Sequence, residues 1–224
     1  MDDARPVSGS PEATRLAGSV AHAINNPLAA LLGTVEMALE SGGGQRQALQ
    51  RVLHLAHRIE SVVASTLQLF RLEAPRCEPV AVSDLLESVR RELAARNSPG
   101  RIGVETKLDA ELPEVLGDPE LLTRALTALA ENGMEAMAEH GGQLWLEAER
   151  AAGDGVVVRV IDSGIGIAPE LRERVFEPFF TTKGGGTGLG LSIADSIVTQ
   201  HGGRIDLAAR HGGGTTAAVH LPPQ

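Results

Sequence analysis

Residues 19–44 read SVAHAINNPLAALLGTVEMALESGGG, and the pattern of this stretch sets the architecture of the N-terminal third of the chain. Apolar side chains recur every three or four residues, as on one face of an amphipathic helix. Ser10 and Pro11 supply a helix start, while the glycines at 42–44 disfavour helix and end it. We therefore predict a helix from Ser10 to Glu40. Its apolar positions are Ala17, Val20, Ile24, Leu28, Leu31, Val35 and Ala38.

A second amphipathic helix is predicted after the glycines and before Pro75. The two helices form a hairpin, and a lone hairpin cannot cover its own apolar stripes. Dimerisation into a four-helix bundle would cover them, so we expect a homodimer. The apolar positions of the second helix are Leu49, Val52, Ala56, Ile59, Val63, Leu67 and Phe70.

His22 falls outside the apolar stripe of the first helix, so its imidazole is expected to face solvent or a partner. Two interpretations stay open from this helix alone: a solvated surface histidine or a reactive one. Pro27 removes the hydrogen bond to the Ala23 carbonyl and predicts a kink close to His22. The residues one turn away from His22 are small or polar: Gly18, Ser19, Asn25 and Asn26.

Composition and charge exclude several classes of protein. The chain has 224 residues, 42% of them hydrophobic, with four Phe, one Trp and no Tyr, so the core must be aliphatic. A net charge of −9 argues against nucleic-acid binding, which needs basic clusters. The single Cys77 fits a reducing compartment, and no apolar run is long enough for membrane insertion. We expect a cytoplasmic protein.

The chain divides into a flexible tail at 1–9, a hairpin domain at 10–74 and a second domain at 78–224, joined by a Pro-containing linker. In the second domain, helices alternate with mostly antiparallel strands, which predicts an α+β fold, one helical layer on one sheet. Helices are predicted at 83–96, 119–139 and 189–200, and strands near 80 and at 101–108, 143–150, 156–161, 204–209 and 215–221.

Three segments of the second domain carry candidate chemistry. Asp162 ends a strand and is followed by glycines, so its carboxylate could accept from the amine of a flat ring that lies close to the backbone. The glycine-rich run 184–190 precedes a helix, an arrangement that binds phosphates. Asn132 offers a neutral oxygen suited to Mg²⁺. Each segment also has a simpler interpretation, as a turn or a surface helix. Lys183, one of two lysines, directly precedes the glycines.

The order of these segments resembles that of two-component sensor histidine kinases. The His22 run, the Asn132 segment, DSGIG at 162–166, FEPFFTTK at 176–183 and GTGLG at 186–190 follow one another at suitable spacing. The phosphoacceptor run resembles the subclass that reads His-Glu-Ile-Asn-Asn-Pro. The resemblance extends from about residue 15 to residue 222. It implies a helical hairpin followed by an α/β sandwich of the GHKL ATPase type, which binds ATP and Mg²⁺.

The resemblance also implies roles for individual residues. His22 would be the phosphoacceptor, and Asn132 would hold Mg²⁺ between the phosphates. Asp162 would accept from the adenine amine in a pocket shaped by Gly164 and Gly166, with Thr215 joining through water. Asn26 would orient a water that dephosphorylates the partner, or is simply a surface residue. The lid over the phosphates would comprise Lys183, Gly184, Gly185, Gly186, Thr187, Gly188, Leu189 and Gly190, anchored by Phe176, Phe179 and Phe180.

Three positions depart from the family pattern. Ala23 stands where an acid usually follows the histidine, and acid–base help of that kind is worth about 10²–10⁴-fold in rate. Neutral imidazole is still a nucleophile, so we expect slowed but not abolished autophosphorylation. Ala128 replaces a frequent asparagine, and Ala217 replaces a final-strand phenylalanine. Either Glu131 or Glu135 would need to reach His22 across the domain interface to replace the missing acid.

The expected function is an ATP-dependent histidine kinase that passes its phosphoryl group to a response-regulator receiver domain. The alternative is a nucleotide-gated scaffold, or a response-regulator phosphatase, with weak or no autokinase activity. A chaperone-type or topoisomerase-type ATPase is disfavoured, because those proteins resemble this chain but carry a catalytic Glu where it has Ala128.

Overall fold

The computed structural model describes residues 11–41, 46–53, 55, 56, 59, 63, 75–96, 101–151, 153–183 and 186–223. The predicted tail at 1–9 and the glycines at 42–44 lie outside these residues. The chain separates into two compact units, one of residues Met1–Phe70 with Pro178–Leu189 and one of Arg71–Glu177 with Gly190–Gln224. Among the described residues, every helix is too short or too polar to cross a membrane.

Helix α1 spans Pro11–Ser41 and continues through Pro27, close to the predicted bounds. Pro27 and Thr34 are buried, and the Thr34 hydroxyl donates to the Ala30 carbonyl at 2.7 Å. By contrast, Leu32 is 53% and Met37 is 62% exposed. Residues 46–53 are also helical and form α2. Apolar side chains therefore remain uncovered on the first unit of a single chain.

The second unit contains three helices, seven strands and two short 3₁₀ turns among its described residues. The 3₁₀ turns are Pro169–Leu171 and Arg174–Phe176. The helices are α3 (Val82–Arg96), α4 (Pro119–Ala136) and α5 (Gly190–Gln200). The strands are β1 (Glu78–Val80), β2 (Ile102–Leu108), β3 (Val115–Gly117), β4 (Gly142–Arg150), β5 (Val156–Asp162), β6 (Arg204–Ala209) and β7 (Thr215–Leu221).

Five strands form one sheet in the order β2-β4-β5-β7-β6, and β1 pairs with β3 in a separate two-stranded sheet. β2 is parallel to β4, while the other neighbours in the large sheet are antiparallel. Alternate residues of the central strands are buried, as expected when one face of a sheet is covered by helices. α3, α4 and α5 form that covering layer. The predicted α+β sandwich is confirmed.

The core is aliphatic, as the scarcity of aromatic residues predicted. Its fully buried members in the second unit come from all three helices and from the centre of the sheet. Full burial of each large apolar side chain stabilises the folded state by roughly 1.5–3 kcal/mol. The largest of these side chains are Leu85, Leu86, Leu93, Leu122, Leu126, Met137, Leu144, Leu146 and Ile197.

Two predicted features of the second unit are corrected. α4 ends at Ala136 rather than near residue 139, and Met137 leaves the helix with φ −110. A short strand, β3, was not predicted. It exists because its three residues pair with β1, in the register Pro79 to Leu116. Both differences come from contacts between distant segments, which helical and strand periodicity do not report.

Candidate nucleotide-binding site

Asp162 is the last residue of β5, and its side chain is 6% exposed. Its Oδ1 atom accepts hydrogen bonds from the Gly164 N–H at 2.8 Å and from the Thr215 N–H at 3.3 Å. Burial raises the pKa of this carboxyl, and the two backbone donors offset part of that rise. Both backbone N–H groups bind Oδ1, and the Thr215 side chain also hydrogen-bonds to the carboxylate.

The loop after Asp162 packs tightly on its surroundings. A Cβ at Gly164 would lie 2.7 Å from the Ala136 carbonyl oxygen, and at Gly166 it would lie 3.2 Å from the Gly214 carbonyl oxygen. Ser163 ties the loop to β4, since its Oγ accepts from the Gln143 N–H at 2.9 Å. Glycine at these two positions therefore allows the loop to pack closely on the Ala136 and Gly214 backbone. Ser163 was not predicted as part of the site, and only its place between two predicted residues pointed to it.

Helix α4 brings Asn132 to the same end of the sheet. Gly133 follows Asn132 directly, and a Cβ on Gly133 would lie 3.0 Å from the Asp162 Cβ. Asn132 itself is half-buried. Asp118 caps the start of this helix, because its Oδ1 accepts from the Glu120 and Leu121 N–H groups, both at 3.1 Å. Asn132 therefore lies next to Gly133, which packs on Asp162.

Lys183 and the glycine-rich segment belong to the first compact unit, apart from Gly190, which starts α5. Gly184 and Gly185 lie outside the described residues. Phe179 adopts φ 68, a strained conformation for a phenylalanine, and its N–H donates to the Gly188 carbonyl at 2.8 Å. The Lys183 N–H donates to the Thr181 hydroxyl at 3.1 Å. The segment is thus a folded loop with its own hydrogen bonds.

Other described residues of the glycine-rich segment also form hydrogen bonds within it. The Gly186 N–H donates to the Lys183 carbonyl at 3.4 Å, and the Leu189 N–H donates to the Thr187 hydroxyl at 3.4 Å. Leu189 is fully buried. The three phenylalanines expected to anchor this loop are half-buried rather than fully buried: Phe176, Phe179 and Phe180.

His22 and Asn26 both lie in α1, one helical turn apart. The side chain of His22 lies outside the described ones, so its predicted exposure stays a prediction. Asn26 is exposed, and Ala23 is half-buried. These two predicted catalytic residues belong to the first compact unit, whereas Asp162 belongs to the second.

The residues of the second unit fit an adenine nucleotide with one metal ion. A buried carboxylate whose Oδ2 accepts from neither of the two backbone N–H groups matches a ring amine, which is a hydrogen-bond donor. Among the described residues, no three His, Cys, Asp or Glu side chains cluster as a metal site. Mg²⁺ bound mainly by phosphates needs only one or two protein oxygens, so the Asn132 amide oxygen is a sufficient protein ligand.

Family models match both parts of the chain. The model "His Kinase A (phospho-acceptor) domain" matches residues 12–75, and "Histidine kinase-, DNA gyrase B-, and HSP90-like ATPase" matches residues 117–224. The sensor histidine kinase ZraS of Escherichia coli K12 is 35% identical over 92% of this chain and 45% of its own length. Sporulation kinase E of Bacillus subtilis is 29% identical over 92% of this chain and 28% of its own length.

Solved structures agree with these matches. The catalytic domain of histidine kinase ThkA is 31% identical over 66% of this chain and 95% of that domain, with a TM-score of 0.59. Full-length ShkA in complex with AMPPNP is 26% identical over 96% of this chain and 46% of its own, with a TM-score of 0.68. ThkA in complex with the response regulator protein TrrA is 25% identical over 94% of this chain and 61% of that one, with a TM-score of 0.79.

The chain spans about half the length of the ZraS relatives it matches. The family resemblance inferred from the motifs is confirmed, whereas the subclass assigned to the His22 run stays a prediction. With a phospho-acceptor domain followed by a GHKL-type ATPase domain, this chain belongs to the sensor histidine kinase family.

Proposed function

We propose that this protein is an ATP-dependent histidine kinase that phosphorylates His22 and passes the phosphoryl group to an aspartate of a response regulator. The observation that carries the proposal is the buried Asp162 carboxylate, with Oδ1 held by two backbone N–H groups. Family membership and the adjoining Asn132 support it. Because ATP is its substrate, we also propose that this part of the protein works in the cytoplasm.

Asp162 recognises the base. Its Oδ2 accepts from the exocyclic amine of adenine, while a guanine would present a carbonyl oxygen there and be repelled. This hydrogen bond is strong because the acceptor is charged and shielded from water. The two backbone donors on Oδ1 favour the ionised carboxylate that the contact requires, against the effect of burial.

Two further groups of residues are proposed to bind the phosphates. Asn132 would provide the protein oxygen for Mg²⁺, and the ion would neutralise phosphate charge. Lys183 supplies a point charge, and the backbone N–H groups of the glycine-rich segment donate to phosphate oxygens. Catalysis in such a site is mainly positioning and charge neutralisation, because the transition state is loose.

His22 is the nucleophile. A neutral ring nitrogen forms a bond to the γ-phosphorus, the bond from that phosphorus to the bridging oxygen breaks, and ADP leaves. The other ring nitrogen then loses its proton. With Ala23 in place of an acid, water takes that proton, which slows the reaction without preventing it.

Labelling from γ-labelled ATP tests the proposal. The label on the wild-type protein is expected to be acid-labile and base-stable, as for a phosphoramidate, and to disappear in His22→Gln. Asp162→Asn controls for nucleotide binding, and its label is also expected to be lost. A wild-type protein that remains unlabelled after hours with ATP and Mg²⁺ would rule out the kinase.

Transfer to a receiver domain is the second half of the proposal. The solved complex of ThkA with the response regulator protein TrrA supports a partner of this class. Asn26 is exposed one turn after His22, where its amide can orient a water that attacks the phosphorus of the receiver's phosphoaspartate and releases inorganic phosphate. We expect Asn26→Ala to leave His22 labelling unchanged and to slow dephosphorylation of the receiver, measured as its phosphate half-life.

A homodimer through the hairpin is proposed from the uncovered apolar side chains of the first unit. Leu32 on α1 and Leu49 on α2 are 53% and 67% exposed in a single chain. A four-helix bundle would bury such positions. We expect a dimer by sedimentation and a shift to monomer in Leu32→Glu. A monomeric wild type at micromolar concentration would contradict it.

A second candidate function follows from Ala23. Without the usual acid, the protein could bind ATP and act as a nucleotide-gated scaffold or as a response-regulator phosphatase. Tight nucleotide binding without His22 label, together with accelerated loss of phosphate from a receiver, would favour this function. Rapid labelling of His22 would exclude it.

A further inference from the structure

Arg210 follows β6 and stacks on the only tryptophan of the chain. Its Cζ lies 4.6 Å from the centroid of the Trp145 ring, a distance at which a guanidinium is attracted to the face of an indole. Both side chains are half-buried. Trp145 is rigidly placed in β4, where it pairs with Ile161 of β5. The ring thus provides a fixed platform for a long and otherwise flexible side chain.

The same arginine holds the turn between β6 and β7. Its Nη1 donates to the Gly213 carbonyl at 3.0 Å, its backbone N–H donates to the Gly214 carbonyl at 3.0 Å, and its carbonyl accepts from the Gly213 N–H at 3.2 Å. Gly212, Gly213 and Gly214 all have φ between 87 and 100. Such a glycine turn has wide conformational freedom, so a side chain that binds one of its carbonyls restricts it.

The turn leads directly to the base-recognition residue. Thr215 follows Gly214 and donates its N–H to the Asp162 Oδ1. The backbone of Gly214 lies against the Asp162 carbonyl so closely that no Cβ would fit there. A shift of the turn therefore moves one of the two donors that hold the carboxylate.

We propose that Arg210 is a positioning residue of the nucleotide site, which uses the Trp145 ring to fix the β6–β7 turn and so keeps the Thr215 N–H on Asp162. This inference rests on the proposed function and extends it to a residue outside the pocket. The charge of Arg210 also opposes the rise in the pKa of Asp162 that burial causes. Arg210 thereby favours the ionised carboxylate that accepts from adenine.

Calorimetric titration with AMPPNP and Mg²⁺ tests the inference. Arg210→Ala is expected to weaken binding about tenfold, since it removes both the stacked cation and its hydrogen bond. Arg210→Lys keeps the charge but not the planar stacking, so it is expected to recover only part of the loss. The matched control is Arg204→Ala at the start of β6, whose removal is expected to leave the affinity unchanged because the Arg204 side chain is exposed and pairs with Asp206.

Two further measurements separate positioning from general stability. In labelling assays, Arg210→Ala is expected to raise the KM for ATP about tenfold while the rate at saturating ATP stays the same. AMPPNP is expected to change the fluorescence of Trp145 in the wild type and in Arg204→Ala, but not in Arg210→Ala.

The outcomes distinguish the inference from the function on which it rests. A wild type that does not bind AMPPNP overturns both. If the wild type binds and Arg210→Ala binds equally well, only the inference is overturned. A lower melting temperature with unchanged affinity would likewise reduce Arg210 to a structural residue of the turn.

Discussion

Gly133 makes room for Asp162. A Cβ on Gly133 would lie 3.0 Å from the Asp162 Cβ and 3.2 Å from the Leu144 Cδ1, both tighter than ordinary van der Waals contact. Gly133 is buried in the last turn of α4, and glycine within a helix costs up to about 1 kcal/mol relative to alanine. The chain therefore accepts a weaker helix at the point where α4 packs on the carboxylate proposed to recognise the base.

Gly133→Ala is expected to weaken AMPPNP binding severalfold, because Asp162 must move by a few tenths of an ångström. Overpacking costs about 1–3 kcal/mol and the gain in helix propensity returns up to about 1, so the free energy of unfolding falls slightly. The matched control is Gly33→Ala in α1, where no atom lies within 4 Å of the added Cβ. That variant is expected to be stabilised, with unchanged affinity. Equal affinity in both variants would contradict the prediction.

Asp162→Asn is expected to stabilise the nucleotide-free protein and to weaken nucleotide binding strongly. Because burial raises the pKa of Asp162 above its ordinary value, its protonated form favours folding. This contribution is complete below the ordinary pKa and is lost as the pH rises through the raised one. The melting temperature of the variant relative to that of the wild type should therefore rise as the pH passes from the ordinary pKa through the raised one, and stay constant above it.

The loss of binding in Asp162→Asn follows from geometry. The Gly164 and Thr215 N–H groups both require an acceptor at Oδ1, so the new amide must place its NH₂ where Oδ2 was. A donor then faces the donor on adenine, and we expect about a hundredfold weaker binding by calorimetry. A variant that binds as well as the wild type would show that the base does not contact Asp162.

Asp118→Asn is expected to break the hydrogen bond from the Arg76 N–H in the linker and to retain the cap of α4. Asp118 Oδ2 accepts from the Arg76 N–H at 3.1 Å, and Oδ1 caps α4. Asparagine retains the capping oxygen but presents an NH₂ to Arg76, so we expect faster hydrogen exchange at that amide and a loss of about 1 kcal/mol. Asp118→Ala also loses the cap, which costs about 0.5–2 kcal/mol more.

The pH dependence of the stability difference between the wild type and Asp118→Asn provides a check. Burial alone would raise the pKa of Asp118, but hydrogen bonds from the Leu121, Arg76 and Glu120 N–H groups outweigh it and lower the pKa below its ordinary value. The stabilisation by the ionised carboxylate is present above the ordinary pKa and lost as the pH falls through the lowered one. The difference in the free energy of unfolding between the wild type and Asp118→Asn should become smaller at acidic pH. A difference that does not change with pH would argue against the hydrogen bond to Arg76.

Ala23→Glu is expected to raise the initial rate of His22 labelling at least about tenfold, since a positioned carboxylate can take the proton of the imidazole. Ala23→Gln is the matched control, because it has the same shape without a base and should label no faster than the wild type. An unchanged rate in Ala23→Glu would mean that another step, such as closure of the glycine-rich lid, limits the reaction.

Helix bounds and strand positions were largely predictable from the sequence. α1 was predicted at Ser10–Glu40 and spans Pro11–Ser41, because a local cap, a regular apolar spacing and terminal glycines define a helix. β2 and α5 also lie within about a residue or two of their predicted bounds. The short strand β3 was missed, since three residues carry no periodicity and their extended form depends on pairing with β1.

The sequence by itself determined most of the elements and the order of the motifs, including the carboxylate proposed to recognise the base, because each depends on neighbours within a few residues. Only the tertiary structure decided which backbone groups hold that carboxylate. Thr215 is 53 residues from Asp162, and Arg210 reaches Trp145 of β4 from the turn that follows the edge strand β6. Such contacts form when distant segments pair and pack, and no local pattern encodes which side chains then meet.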